Sequence, residues 1–199
     1  MGTDMLDSRR FDEARCISLD FDGVLSSLVL GRAWEKTRHK KRPIPVISPV
    51  VRGLKHGLAA LTEGLRKPLP QAESSLRQLR ASRKTLCILT SRTGERIAAA
   101  ERWLDRYAWT GLFERSFFNT EGEDADRFKE RILRTHAIDV HIDDDPETLA
   151  HLSGLFPDKL FVHMDYYHRK GPEGANIVSV RGWDEVPALF AANGELFKR

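Results

Sequence analysis

Short apolar segments alternate along this chain with longer segments whose apolar residues recur at helical spacing. Strands alternating with helices in this way favour right-handed crossovers and a mainly parallel sheet covered on both faces. We therefore expect an α/β protein with a three-layer fold. The strand candidates are 16–21, 85–89, 116–119, 138–142, 160–164 and 177–180.

The length of 199 residues suits one domain, which we predict to cover residues 1–199. No apolar run approaches the ~20 residues of a membrane-spanning helix. The charged N-terminal segment lacks the apolar core of a secretory signal. Cys16 and Cys87 both lie in apolar runs, which favours free thiols in a reducing compartment. We therefore expect a cytoplasmic protein.

Three of the predicted strands end in residues that carry chemistry. Asp20 and Asp22 follow the first strand, Thr90 follows the second, and Asp143 and Asp144 follow the fourth. Ligands of a parallel sheet bind beyond the carboxyl ends of its strands. The sequence therefore predicts that these side chains converge on one site.

Asp20 and Asp22 flank Phe21 at the end of a strand, and carboxylates two residues apart on an extended chain point the same way. Close like charges are costly unless a cation lies between them or one is protonated. Mg²⁺ suits such oxygen ligands and also binds phosphate oxygens. One carboxylate can attack phosphorus, and a second can transfer protons to and from the reacting oxygens.

Three motifs, in this order, resemble motifs of the haloacid dehalogenase (HAD) superfamily: 19–24 (LDFDGV), 88–92 (ILTSR) and 141–145 (HIDDD). Each lies at the end of an apolar strand, and the ordered set is more specific than any one motif. The resemblance implies a Rossmann-like fold. It also implies a phosphatase-type member, because a second aspartate such as Asp22 marks the phosphoryl-transfer branches of the superfamily.

The resemblance further implies a role for each matching side chain. Asp20 would be the nucleophile, and Asp22 the general acid and base. Thr90, with Ser91 beside it, would bind the transferred phosphoryl group. Lys129 fits the lysine of the third motif best, although a plain surface lysine is the alternative at that position.

The resemblance implies that Mg²⁺ is the cofactor. Its ligands would be Asp20, the main-chain carbonyl of Asp22, Asp143, and a second carboxylate that is either Asp144 or Asp145. For the aspartates of residues 143–145 the alternative is a helix N-cap, since a proline follows them.

About 60 residues separate the first and second motifs, far more than the dozen or so that a crossover needs. Residues 26–70 are expected to form a small, helical insert, which in proteins resembling this one is a cap or flap over the active site. Apolar residues at helical spacing predict a helix over 50–66. Its alternative roles are a dimer contact, an interfacial helix on acidic lipid, or plain packing.

Residues 32–84 hold 14 lysines and arginines against 3 glutamates, within a chain of net charge +3. This basic stretch favours contact with an anionic surface or ligand, and a solvated basic surface is the alternative. The tryptophans show no stacking pattern that would indicate nucleic acid. His141 and His163 alternate with apolar residues, so we expect them to be packed or partly exposed rather than ligands, and no Cys/His spacing indicates zinc.

These observations together favour a Mg²⁺-dependent phosphomonoester hydrolase that works through an aspartyl-phosphate intermediate on a small phosphorylated substrate. Residues 88–92 also resemble the corresponding turn of nucleotidase-like members, which favours a nucleotide. The alternatives are a phosphotransferase or phosphomutase of the same fold, and a non-catalytic binding or scaffold protein.

Overall fold

The computed structural model describes residues 9–28, 63–166 and 171–191. The strands of this part are β1 (Cys16–Leu19), β2 (Ser26–Leu28), β3 (Arg66–Pro68), β4 (Thr85–Thr90), β5 (Arg115–Phe118), β6 (Val140–Asp143), β7 (Leu160–Met164) and β8 (Ile177–Val180). Its helices include α1 (Arg9–Glu13), α2 (Ala72–Ala81), α3 (Glu95–Arg106), α4 (Ala125–Thr135), α5 (Pro146–Leu155) and α6 (Val186–Leu189).

The central sheet has six parallel strands in the order β5-β4-β1-β6-β7-β8. Strand β1 lies between β4 and β6, and Leu19 pairs with Ile88 on one side and Ile142 on the other. The chain runs outward from β1 first in one direction and then in the other. Such a reversal of strand order opens a crevice at the carboxyl ends of the strands.

Two apolar clusters cover the two faces of the sheet. Leu19 packs in one cluster with Leu76 of α2 and Trp103 of α3. The other cluster contains Phe128 of α4 and Leu152 of α5. Since side chains alternate between the faces of a strand, helices of both clusters are needed to bury the sheet. The three-layer α/β fold predicted from the sequence is confirmed.

Two helices that border the sheet begin with aspartate caps. Asp124 accepts a hydrogen bond from the backbone of Asp126 (3.2 Å) at the start of α4. Asp145 accepts one from the backbone of Glu147 (3.0 Å) at the start of α5, where Pro146 is the first helical residue. These caps satisfy backbone donors that have no partner within the helix.

The ends of the insert differ from the helical structure expected for it. Ser26 pairs with Pro68 in a two-stranded antiparallel sheet, β2–β3. The predicted helix over 50–66 lies outside the described residues as far as residue 62; Glu63 and Gly64 are helical, and Arg66 begins a strand. Gly64 is a poor helix former, and Pro68 disfavours helical geometry at Lys67, the residue before it.

The closing helix predicted over 183–197 is also different. Within the described residues it is confined to Val186–Leu189, and residues 192–197 lie outside them. Trp183 precedes this helix and is buried, and its indole N–H donates to the carbonyl of Val24 (2.7 Å). That bond ties the last described segment to the loop after β1.

Both cysteines and the three tryptophans of the described residues lie in the core or pack against it. Cys16 and Cys87 are free thiols with their sulfur atoms 3.9 Å apart. Trp103, Trp109 and Trp183 are buried in the core. In the described part of the chain, every helix is too short or too polar to cross a membrane.

Candidate active site

Asp20 stands directly after β1, at the carboxyl end of the sheet. Its backbone N–H donates to the carbonyl of Ile142 (2.9 Å), which holds the strand end against β6. Asp143 is the last residue of β6 and is buried. The pairing of two parallel strands thus brings together carboxylates that are more than 120 positions apart in the sequence.

Lys129 of α4 completes this contact from the helix layer. Its ammonium nitrogen Nζ lies 2.5 Å from Oδ2 of Asp143 and 3.2 Å from Oδ1 of Asp20. Burial alone would lower the pKa of Lys129, but Asp143 and Asp20 raise it above its usual range. Lys129 is therefore a buried lysine whose charged form the two carboxylates favour, and not a surface residue.

Asp144 reaches the same cluster because Gly23 leaves room for it. One carboxylate oxygen each from Asp20, Asp143 and Asp144 lie within 4.8 Å of one another. Gly23 has a φ of +77°, and a Cβ atom there would lie 2.0 Å from Oδ2 of Asp144. Asp145, by contrast, caps α5. Of the two alternatives left open by the sequence, the structure places Asp144 in the carboxylate cluster.

The carboxylate cluster has the character of a cation site. Burial, together with the negative charges of the nearby Asp143 and Asp22, raises the pKa of Asp20 to about 7. The positive charge of Lys129 lowers it, but only in part. Apart from the ion-pair contact with Lys129, Oδ1 of Asp20 has no hydrogen-bond partner among the described residues. The cluster offers three carboxylates, two of them in contact with Lys129, and carboxylate oxygens are hard ligands. This donor set fits Mg²⁺.

Asp22 has different partners from Asp20. Arg92 donates to both of its oxygens (3.0 and 2.8 Å), Arg66 lies 2.7 Å from Oδ1, and Arg96 donates to Oδ2 (2.9 Å). Burial by itself would raise the pKa of Asp22, but the three guanidinium groups hold it well below its usual range. Asp22 is therefore a carboxylate whose oxygens are both occupied.

Arg92 is the centre of this second network. It is almost fully buried, its guanidinium carbon lies 4.3 Å from the ring centroid of Phe21, and it donates to Oε2 of Glu63 (2.9 Å). Glu63 also lies 3.1 Å from Nε of Arg66. The network joins three segments that are remote in sequence: the loop after β1, the end of the insert, and the turn after β4.

Thr90 and Ser91 lie where the sequence predicts them. Thr90 is the buried last residue of β4, two positions beyond Ile88, the partner of Leu19. Ser91 follows it in the turn and is half-buried. Both hydroxyl-bearing residues therefore stand at the carboxyl end of the strand next to β1.

Sequence reasoning missed several residues of the site. Arg92 is the last residue of the motif at 88–92, but the sequence predicts no role for it. Its place two residues after Thr90, just beyond a strand end, indicates that it lies near the site. For His141 the sequence predicts a packed or partly exposed residue that is not a ligand; it is buried, and it also contacts Asp143. Its position two residues before Asp143 on a strand indicates a shared face. No sequence pattern pointed to Arg66 or Glu63.

No protein-family model and no curated protein matches the sequence. Solved structures do match the fold. A haloacid dehalogenase-like hydrolase from Streptococcus pneumoniae aligns over 89% of this chain and 99% of its own, with 15% identity and a TM-score of 0.63. A HAD-superfamily hydrolase of subfamily IA from Geobacter sulfurreducens aligns over 89% and 97%, with 14% identity and a TM-score of 0.60.

A third match is a protein from Bacillus subtilis, provisionally assigned as a HAD hydrolase, whose structure is bound to magnesium. It aligns over 89% of this chain and 98% of its own, with 14% identity and a TM-score of 0.53. The protein thus has the fold of the HAD-superfamily hydrolases, as the motifs indicated.

Proposed function

We propose that the protein is a Mg²⁺-dependent phosphomonoester hydrolase in which Asp20 attacks phosphorus. The observation that supports this most strongly is the contact of the buried Asp20 with Lys129 and Asp143, joined by the half-buried Asp144, at the carboxyl end of the sheet. Holding three carboxylates this close, two of them buried, is costly unless further positive charge joins that of Lys129. A cation and an anionic phosphoryl group would together balance the charges of the cluster and of Lys129.

The residues that would hold Mg²⁺ are Asp20, Asp143 and Asp144, with the main-chain carbonyl of Asp22. When bound, the ion supplies positive charge that offsets these carboxylates and polarises the phosphoryl oxygens. The magnesium bound to the Bacillus subtilis structure agrees with this choice of metal.

In the first step a carboxylate oxygen of Asp20 forms a bond to phosphorus while the bond to the leaving oxygen breaks, and Asp22 donates a proton to that oxygen. In the second step water attacks the aspartyl phosphate, Asp22 takes its proton, and inorganic phosphate leaves. The hydroxyls of Thr90 and Ser91 would donate to the phosphoryl oxygens, and Lys129 would keep its charge throughout.

The arginines around Asp22 add a requirement to this scheme. Asp22 must be protonated to donate in the first step, and it becomes protonated when it accepts the proton of water in the second. The three guanidinium groups disfavour that protonated form in both steps. We therefore infer that substrate binding loosens at least one of the contacts from Arg66, Arg92 or Arg96.

We infer that the substrate is a small phosphorylated molecule, with a nucleotide as the first choice, and that residues 26–70 form a cap or flap. The support for the cap is that Glu63 and Arg66, near the end of this insert, contact the network around Asp22. An insert joined to the reacting carboxylates is well placed to influence which substrates enter.

Two wider expectations stay predictions. Contact with an anionic surface through residues 32–84 is one, and within that segment Arg66 and Lys84 are buried in internal contacts rather than solvated. The part from 32 to 62 lies outside the described residues. A cytoplasmic location is the other, and the free thiols of Cys16 and Cys87 agree with it.

Hydrolysis of 4-nitrophenyl phosphate tests the proposal. We expect turnover by the wild-type protein with Mg²⁺, none with EDTA, and a loss of about a thousandfold or more in Asp20→Asn, because the nucleophile is removed. Asp139→Asn is the matched control, since Asp139 accepts backbone hydrogen bonds at the opposite end of β1. Full activity of Asp20→Asn would refute the nucleophile assignment.

A further inference from the structure

The orientation of the Asp143 carboxylate is fixed by donors on both of its oxygens. Oδ1 accepts the backbone N–H of Asp145 (3.1 Å). Oδ2 lies 2.5 Å from Nζ of Lys129 and 3.1 Å from Nε2 of His141. Lys129 also contacts Asp20 and is shared between two carboxylates, whereas His141 contacts Asp143 alone among the acidic residues of the cluster that the structure describes.

The ring of His141 is itself held in place by a hydrogen-bond partner at its other nitrogen, Nδ1. It stands on β6 next to Ser18 of β1, its partner in the strand pairing. Nδ1 of the ring lies 2.9 Å from Oγ of Ser18, and both residues are buried. A carboxylate oxygen can only accept, so Nε2 carries the hydrogen that reaches Asp143. In the neutral ring Nδ1 then accepts from the hydroxyl of Ser18, whose other acceptor, the carbonyl of Val140, is farther away (3.3 Å). The chain then runs from Ser18 through His141 to Asp143.

We propose that His141, backed by Ser18, is a positioning residue for the cation site: it holds the Asp143 carboxylate turned toward Asp20 and Asp144. This inference rests on the proposed function, because it assigns His141 a purpose at the same metal site. His141 is buried behind Asp143 and acts through it. Partners that orient a metal ligand in this way are commonly worth 10–100-fold in metal affinity.

Direct binding of Mn²⁺ to the full-length protein, measured by calorimetry without substrate, tests this assignment. His141→Leu removes the donor, and we expect its affinity for Mn²⁺ to fall by about 10–100-fold. His141→Gln can place an amide N–H near the lost Nε2, and we expect it to recover most of that affinity. Ser18→Ala leaves the ring but removes its support, and we expect a smaller loss.

Ser75→Ala is the matched control for Ser18→Ala. Ser75 is also a buried serine with one strong hydrogen bond, to the carbonyl of Trp183 (2.7 Å), but it lies on α2 and outside the site. We expect unchanged Mn²⁺ affinity in this variant. Thermal unfolding of each variant shows whether it is folded. If His141→Leu does not fold, the Mn²⁺ affinity of Ser18→Ala tests the assignment instead.

The outcomes separate this inference from the proposed function. Wild-type protein that binds no Mn²⁺ would overturn the metal site, and the role of His141 with it. Wild-type binding together with wild-type affinity in folded His141→Leu, or in Ser18→Ala where the leucine variant is unfolded, would overturn the role of His141 alone. A loss in His141→Leu that the glutamine does not recover would show that the ring fills space and does not position Asp143.

Discussion

The surroundings of Asp20 disfavour the ionised form of its carboxyl group. Its carboxyl is buried beside Asp143 and Asp22, and Lys129 compensates only in part. A group placed in this way lowers the stability of the metal-free fold whenever it is ionised. The bound cation of the proposed function would offset this cost.

This cost predicts a pH-dependent effect of Asp20→Asn on stability. The pKa of Asp20 is about 7 in the folded protein and 3.8 for an unperturbed aspartate. The folded state therefore holds the proton more tightly, so the wild type loses stability as pH rises from about 4 to 7. The asparagine variant, which cannot ionise, lacks that loss.

In EDTA we expect Asp20→Asn to melt a few degrees above the wild type at pH 8 and close to it at pH 4.5, because ~1 kcal/mol shifts Tm by about 2–4 °C in a domain of this size. Thermal melts at several pH values measure the difference, and Asp139→Asn serves as the control. A difference that does not change with pH would contradict the burial argument for Asp20.

The short strands β2 and β3 form a second, two-stranded sheet in addition to the six-stranded one. It brings Arg66 to Asp22, while Glu63 meets Arg92. Trp103 of α3 adds a hydrogen bond from its indole to the carbonyl of Arg66 (3.2 Å). The described end of the insert is therefore held to the core by buried charged and polar contacts.

We expect Arg92→Met to lower the free energy of unfolding by about 3–5 kcal/mol, because it leaves the buried parts of Asp22 and Glu63 short of a cation. Arg77→Met is the matched control, since Arg77 makes an exposed ion pair with Glu73 (2.9 Å), and such pairs contribute about 0.5 kcal/mol or less. Urea denaturation measures both. Similar effects of the two substitutions would show that the network around Arg92 adds little to stability.

At the scale of the whole molecule, the sequence predicted those site residues whose positions are set by the ends of the parallel strands. Asp20 and Asp143 each follow an apolar strand, and parallel strands bring such ends to one edge. Lys129 was assigned only from the family resemblance, with a surface lysine as the alternative. The alternation of strands and helices made parallel strands predictable, but it did not give the order β5-β4-β1-β6-β7-β8 that places β1 beside β6.

The network around Asp22 could not be predicted in the same way. Arg66 comes from the insert, whose two ends pair with each other and not with the main sheet, so no pattern in the sequence fixes its register. The choice of Asp144 over Asp145 also depended on local geometry, namely the positive φ of Gly23 and the N-cap of α5. His141 is buried in the interior and also contacts Asp143, so the expectation that it packs did not exclude a place at the candidate site.

A crystal structure with Mg²⁺ and beryllium fluoride, which mimics a phosphoryl group on a carboxylate, would test whether these carboxylates share one metal ion. We expect a single Mg²⁺ with oxygens of Asp20 and of Asp143 or Asp144 at about 2.0–2.1 Å. We also expect the beryllium to be bonded to the other oxygen of Asp20. Mg²⁺ bound away from these carboxylates, or beryllium fluoride absent from Asp20 at saturating concentration, would contradict the proposed enzyme.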